Sequence, residues 1–203
     1  MSASSFAFDG YKMKKKSIAT HKPGGLLWRP MTSLARAIWG ETMDSQAFTL
    51  THVAISLIAI LSGLVVAYGL LTAKKFEGWT LLFLVATVVT SVTGFFFHRD
   101  HILPSHIVGV ISLLLLAGAI VARYSFRLRG SWRVVYVDCA VASLYLNVFV
   151  LIVQAFQKIS FLHALAPTGS TEPAFVVVQG LVLVTFLVIG LRSVRRFRPR
   201  AFA

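Results

Sequence analysis

Cysteine and charge are what this chain has least of. A single cysteine, Cys139, stands among 203 residues. That excludes an intrachain disulfide and any CxxC metal or redox motif. Cys139 lies inside an apolar run, where a small buried thiol is its expected role. Charged residues make up 13% of the chain and hydrophobic ones 57%, with a mean hydropathy of +0.78. Soluble domains carry about 25% charged residues, so the deficit excludes an ordinary soluble domain and places the chain in the membrane class. No serine or cysteine sits in a recognisable elbow beside a histidine and a carboxylate, so nucleophilic catalysis has no support. No internal repeat suggests a transporter built from inverted halves.

What is present is a series of five long apolar stretches. They predict membrane-spanning helices over about Ala47 to Leu71, Trp79 to Phe97, Ile102 to Ala122, Val134 to Gln157 and Ala174 to Leu191. Each is near the length needed to cross a hydrocarbon core of about 30 Å at 1.5 Å per residue. The fourth, VVYVDCAVASLYLNVFVLIVQAFQ, is the most polar. At 100° per residue its Ser143, Asn147, Gln154 and Gln157 fall within about 80° of arc. Amides facing lipid without partners cost on the order of a few kcal/mol each, so this stripe is expected to face other helices or a wet cavity. On the first span, His52, Ser56, Ala59 and Gly63 share one face, a small-residue strip suited to close helix packing. Trp79 and Phe95-Phe96-Phe97 mark the ends of the second span as interfacial aromatics, and Pro104 falls in the first turn of the third. The expected fold is therefore all-α: a polytopic five-helix transmembrane bundle over residues 46–192, arranged around the fourth span. A basic tail occupies residues 1–45, disordered or lying on the membrane surface, and a second basic tail occupies residues 193–203.

The net charge of +13 would point to nucleic acid in a soluble protein. Here the cations sit in loops and tails beside apolar runs, so topology signals and anionic lipids are the expected partners, and nucleic acid is not. Five spans place the termini on opposite sides. One side gathers Lys74, Lys75, Arg123, Arg127, Arg129, Arg133, Arg192, Arg195, Arg196, Arg198 and Arg200, against Arg99 and Lys158 in the links on the other. The positive-inside rule then sets the C-terminus in the cytoplasm and the N-terminus outside. Lys12, Lys14, Lys15, Lys16, Lys22, Arg29 and Arg36 conflict with that placement. A physiological start at Met43 would remove the conflict.

Once the spans are accepted, one end of the bundle collects His52, Thr90, Thr93, His98, His101, His106, Gln154, His163 and Gln179, opposite the arginine-rich loops. Three readings compete for this cluster. The first is structural: histidine, glutamine and threonine join helices through hydrogen bonds worth about 0.6–2 kcal/mol each. The second is a cofactor or metal site. His52 and His106, on two helices at matching depth, could ligate a haem b, and His98, Asp100, His101 and His106 carry nitrogens and a carboxylate suited to a divalent metal. The third is a polar pocket for a quinone, lipid or small solute, lined by His52, Asn147, Gln154 and Gln179. Asp138, about one turn into the fourth span, is expected to form an interfacial ion pair with Arg133 or a loop arginine rather than a proton relay.

Four runs resemble a group of small bacterial multi-pass membrane proteins that carry no assigned function. They are SLIAILSGLVVAYGLL (Ser56 to Leu71), TSVTGFFF (Thr90 to Phe97), YLNVFVLIVQAF (Tyr145 to Phe156) and LAPTGSTEP (Leu165 to Pro173). The resemblance implies an inner-membrane setting and transfers no functional residue. The expected function is a structural or accessory membrane subunit, without catalytic residues or a cofactor, associating with itself or with a larger complex. An electron-transfer subunit handling haem or quinone is the first alternative, and a small solute carrier is the second.

Overall fold

The computed structural model describes residues 46–97, 104–167 and 172–197. The basic N-terminal run, the His98–His101 link and the last residues of the C-terminal tail lie outside these segments. All described secondary structure is helical. Helices α1 (Gln46–Leu71), α2 (Glu77–Gly94) and α3 (Pro104–Ile120) come first, and α3 continues into a π-helical turn, Val121–Ser125. Helix α4 (Trp132–Lys158), a short α5 (Ser160–Leu165) and α6 (Pro173–Arg196) complete the chain. Five of these elements are long and apolar enough to cross a membrane: α1, α2, α3 with its π turn, α4 and α6.

The ends of these helices have local causes. Ala73 takes a left-handed φ of 57° after α1, and Lys74 N–H returns to Gly69 O at 2.9 Å, so an alanine closes the helix where glycine is usual. Pro104 and Pro173 each stand in a first helical turn, where the missing N–H has no intrahelical partner to lose. Helix α2 begins at Glu77, whose carboxylate favours a helix N-terminus. It ends at Gly94, so Phe95, Phe96 and Phe97 form a turn beyond the helix and do not extend the span. Helix α6 runs past Leu191 to Arg196, because the cations of its last turn suit a helix C-terminus. The link after α4 contains α5, a helical turn that the turn-rich sequence downstream of it does not announce.

In packing, α1 lies along α2, α2 on α3, α3 on α4, and α4 returns to α1, closing a four-helix ring. Helix α6 rests on both α1 and α4. The fourth span is thus central, but it shares that position with α1. The small-residue strip of α1 explains why. Ala59 is fully buried, and a Cβ at Gly63 would stand 2.5 Å from Leu144 Cδ1 and 2.9 Å from the Phe83 ring. Only hydrogen fits there, and its absence of bulk lets α1, α2 and α4 meet at one point. The main core continues through Val66, Leu70, Leu116, Tyr136, Val137 and Phe197. A smaller cluster of Phe156, Ala166 and Phe175 packs the opposite end.

Outside, the arrangement is inverted relative to a soluble protein. Leu114 is 69% exposed, Leu181 65% and Leu61 62%. Such a continuous apolar surface suits a hydrocarbon solvent. Helix α6 is the most peripheral span, with only 17% of its apolar window buried.

Candidate functional site

Two polar layers and one mid-depth contact organise the bundle. The first layer lies at the end carrying the α2–α3 link. His52 of α1 and Thr93 of α2 are bonded at 2.8 Å. Thr93 Oγ1 itself donates to Val89 O at 2.7 Å. With the hydroxyl proton directed to Val89 O, the arrangement suits the tautomer in which the imidazole supplies Nδ1–H. The His52 ring also meets Phe97 edge-on, with centroids 5.0 Å apart. His106, near the start of α3, lies beside Phe95, with centroids 5.8 Å apart. The two histidines thus rest on different phenylalanines of one turn, on helices that each pack against α2. His98, Asp100 and His101 lie outside the described residues. Among the described residues, no three histidine, cysteine or acidic side chains gather as a metal-binding group.

The mid-depth contact joins α2 to α4. Asn147 Nδ2 donates to Thr87 Oγ1 at 3.2 Å. Thr87 is ten residues beyond Glu77, about 15 Å along the helix and so near the middle of a bilayer core. Ser91 donates to Ser112 at 3.1 Å, joining α2 to α3. Gln179 of α6 donates Nε2 to Phe149 O of α4 at 3.2 Å. Thr90 Oγ1, Ser143 Oγ and Gln179 Oε1 are buried without a hydrogen-bond partner.

The expected polar stripe of α4 therefore divides. Ser143 and Asn147 face neighbouring helices, whereas Gln154 and Gln157 are exposed. The reason is helix length. Gln154 is 22 residues past Trp132, or about 33 Å, which carries it beyond a core of about 30 Å into the headgroup layer. There water supplies partners that the protein need not provide. His52, Asn147 and Gln179 thus bond different neighbours, Thr93, Thr87 and Phe149, while Gln154 is exposed.

The second layer, at the opposite end, was legible in the sequence only as loop charge. Arg123 sits in the π turn and is 9% exposed. A π turn adds a residue to the helical circuit and so changes the direction in which its side chains point. Here Arg123 pairs with Glu77 of α2, donates to Tyr136 Oη of α4 at 3.3 Å, and lies 5.3 Å from the Tyr136 ring centroid. One guanidinium thus joins α2, α3 and α4. Arg133 joins a further pair. Its Nη1 donates to Val194 O at 2.6 Å and to Phe197 O, closing the C-terminus of α6 against α4.

That bond corrects the expectation for Asp138, because Arg133 is engaged elsewhere. Among the described residues Asp138 has no ion pair. The Tyr145–Phe186 contact and the Val141–Gly190 approach fix the antiparallel register of α4 and α6. They set Asp138 level with Ser193, beside the Arg192 turn. The carboxylate therefore lies about 9 Å along α4 from Trp132, toward the arginine-rich end.

Comparison with protein-family profiles, curated proteins and solved structures gives no match. Function must then be argued from the contacts themselves. Among the described residues, these contacts join one helix to another.

Proposed function

We propose that this protein is a structural or accessory component of a bacterial inner membrane, packing with itself or with a larger membrane complex. The observation that supports this reading is the use of the intramembrane polar groups. The bonds His52–Thr93, Ser91–Ser112, Asn147–Thr87 and Gln179–Phe149 each join two helices. Groups engaged in this way act as interhelical fastenings. The eleven cations at one end, against two in the links at the other, favour a cytoplasmic C-terminus and an outward N-terminus. The bacterial setting rests on the sequence resemblance.

One observation favours a second reading, a haem- or quinone-handling subunit. His52 Nδ1 is hydrogen-bonded to Thr93 Oγ1, the kind of partner that orients a metal-ligating histidine through its other ring nitrogen.

A visible spectrum and metal analysis of detergent-purified protein separate the two. The accessory reading expects a colourless, metal-free protein that cross-links in native membranes as an oligomer or within a larger assembly. A reduced-minus-oxidised haem signal, lost in His52→Ala and His106→Ala, would replace it with electron transfer. A bound metal without haem would direct attention to His98, Asp100, His101 and His106. Cross-linking that yields only monomer would remove the assembly role.

A further inference from the structure

The link between α3 and α4 is short, yet its backbone is tightly determined. Arg127 and Leu128 both adopt left-handed backbone, with φ of 50° and 59°, and Gly130 follows at 52°. For a non-glycine residue that conformation costs about 1–2 kcal/mol, and two in succession persist only where surrounding contacts enforce them. Those contacts are present. Leu128 N–H reaches back to Ala122 O at 3.0 Å, and Phe126 N–H to Val121 O at 3.1 Å. The Leu128 side chain is buried in the main core. Arg129 N–H bonds Phe126 O, and Trp132 N–H bonds Arg129 O. The Phe126 and Trp132 rings stack face to face, 3.8 Å apart and 2° from parallel.

The consequence is a rigid turn with one inward anchor and two outward cations. Arg127 and Arg129, on either side of buried Leu128, are both exposed. The stacked Phe126 and Trp132 are also exposed, as is Tyr124. Arg133 ties this turn to the end of α6, where Arg192, Arg195 and Arg196 are exposed as well. Among the described acids, Glu77 is taken by Arg123. Asp138 forms no ion pair among the described residues.

Helix lengths set this surface at a membrane boundary, where aromatic rings favour the headgroup level and cations meet lipid phosphate. We propose that the Phe126–Trp132 turn, with the last turn of α6, is a preformed binding site for the headgroup of an anionic phospholipid. The stacked rings would lie against the upper acyl chains, and Arg127 and Arg129 would hold the phosphate. The inference depends on the membrane setting but not on the accessory role, and its test does not depend on orientation.

The test uses the full-length protein in neutral detergent, with phosphatidylglycerol or phosphatidylcholine of identical acyl chains added and retained lipid counted by native mass spectrometry. The wild type is expected to retain phosphatidylglycerol about tenfold better than phosphatidylcholine, since each cation near an anionic headgroup contributes severalfold. Arg127→Gln/Arg129→Gln should lower phosphatidylglycerol retention to the phosphatidylcholine level, and Lys158→Gln at the other end should leave it unchanged. Arg195→Gln/Arg196→Gln, outside the strained turn, should give a partial loss and serves if the first variant does not fold. Equal retention of the two lipids by the wild type would overturn the proposal, as would undiminished retention in the folded variants. Displacement of the lipid by an equal concentration of free glycerol phosphate would assign the site to a soluble phosphate and likewise overturn it.

Discussion

At the scale of single residues, backbone conformation and one hydrogen bond make separable predictions. Gly130 has a φ of 52°, and a Cβ built there meets nothing within 4 Å. Gly130→Ala therefore adds no clash and tests conformation alone. We expect a loss of about 1 kcal/mol in chemical unfolding of the detergent-solubilised protein. Asn147 is the converse case, a polar group near the bilayer centre with one partner, Thr87. Interhelical bonds of this kind average about 0.6 kcal/mol, and a threonine that loses its partner can turn to its own helix carbonyl. Asn147→Leu should thus cost less than about 1.5 kcal/mol in the same assay and leave helix content by circular dichroism unchanged. Of the polar residues that the sequence singles out, these mid-depth contacts were the most legible. A lone amide in a long apolar run has few alternatives to a neighbouring helix. Gln154 and Gln157 are exposed and not packed between helices, because periodicity gives the face of a helix and not where the bilayer ends along it.

At the scale of elements, the Arg123–Glu77–Tyr136 group is the most informative feature, and its partners are unequal. The side chain of Arg123 is 7% exposed and that of Glu77 66%. Removing Glu77 leaves a buried arginine whose charge has no counter-ion and only the neutral Tyr136 as partner, whereas removing Arg123 leaves an exposed carboxylate. Glu77→Gln should accordingly destabilise by about 1–3 kcal/mol, whereas Arg123→Met, which leaves Glu77 facing water, should cost less than Glu77→Gln. Denaturant titration of both variants checks the order, and a larger loss in Arg123→Met would contradict it. Sequence reading had Arg123 as loop charge because α-helical periodicity ends the third span at Ala122. The π turn extends the helix by five residues and changes that assignment. The partner Glu77, 46 positions earlier, has no local signature of the pairing.

At the scale of the whole molecule, the alternation of spans sets Ser131 and Ser160 at opposite ends of α4, and both are exposed. With Cys139 replaced by alanine, Ser160→Cys should react with an impermeant maleimide on intact cells. Ser131→Cys should react only after permeabilisation. The reverse pattern would invert the proposed orientation. Two arginines of the basic end have a second task that a charge count does not show. Arg123 and Arg133 are engaged in holding α2, α3, α4 and α6, so the cations exposed there come from the loops and from the surface of α6.

The all-helical class and the five helices long and apolar enough to cross a membrane were legible in the sequence alone. A bilayer imposes a one-dimensional requirement, about twenty apolar residues per crossing with every backbone group bonded within its own helix. Such a requirement can be read along a chain without knowing what touches what. The α1 strip was legible for a similar reason, since small residues at helical spacing admit close approach wherever the neighbour comes from. Tertiary structure decided which helix that neighbour is. It seated Gly63 against Phe83 and Leu144, shared the centre between α1 and α4, turned Arg123 inward, and kept His52 and His106 on different phenylalanines. Those outcomes join residues distant in the chain, and they are selected by packing volume and hydrogen-bond geometry in three dimensions, of which composition and periodicity carry no record.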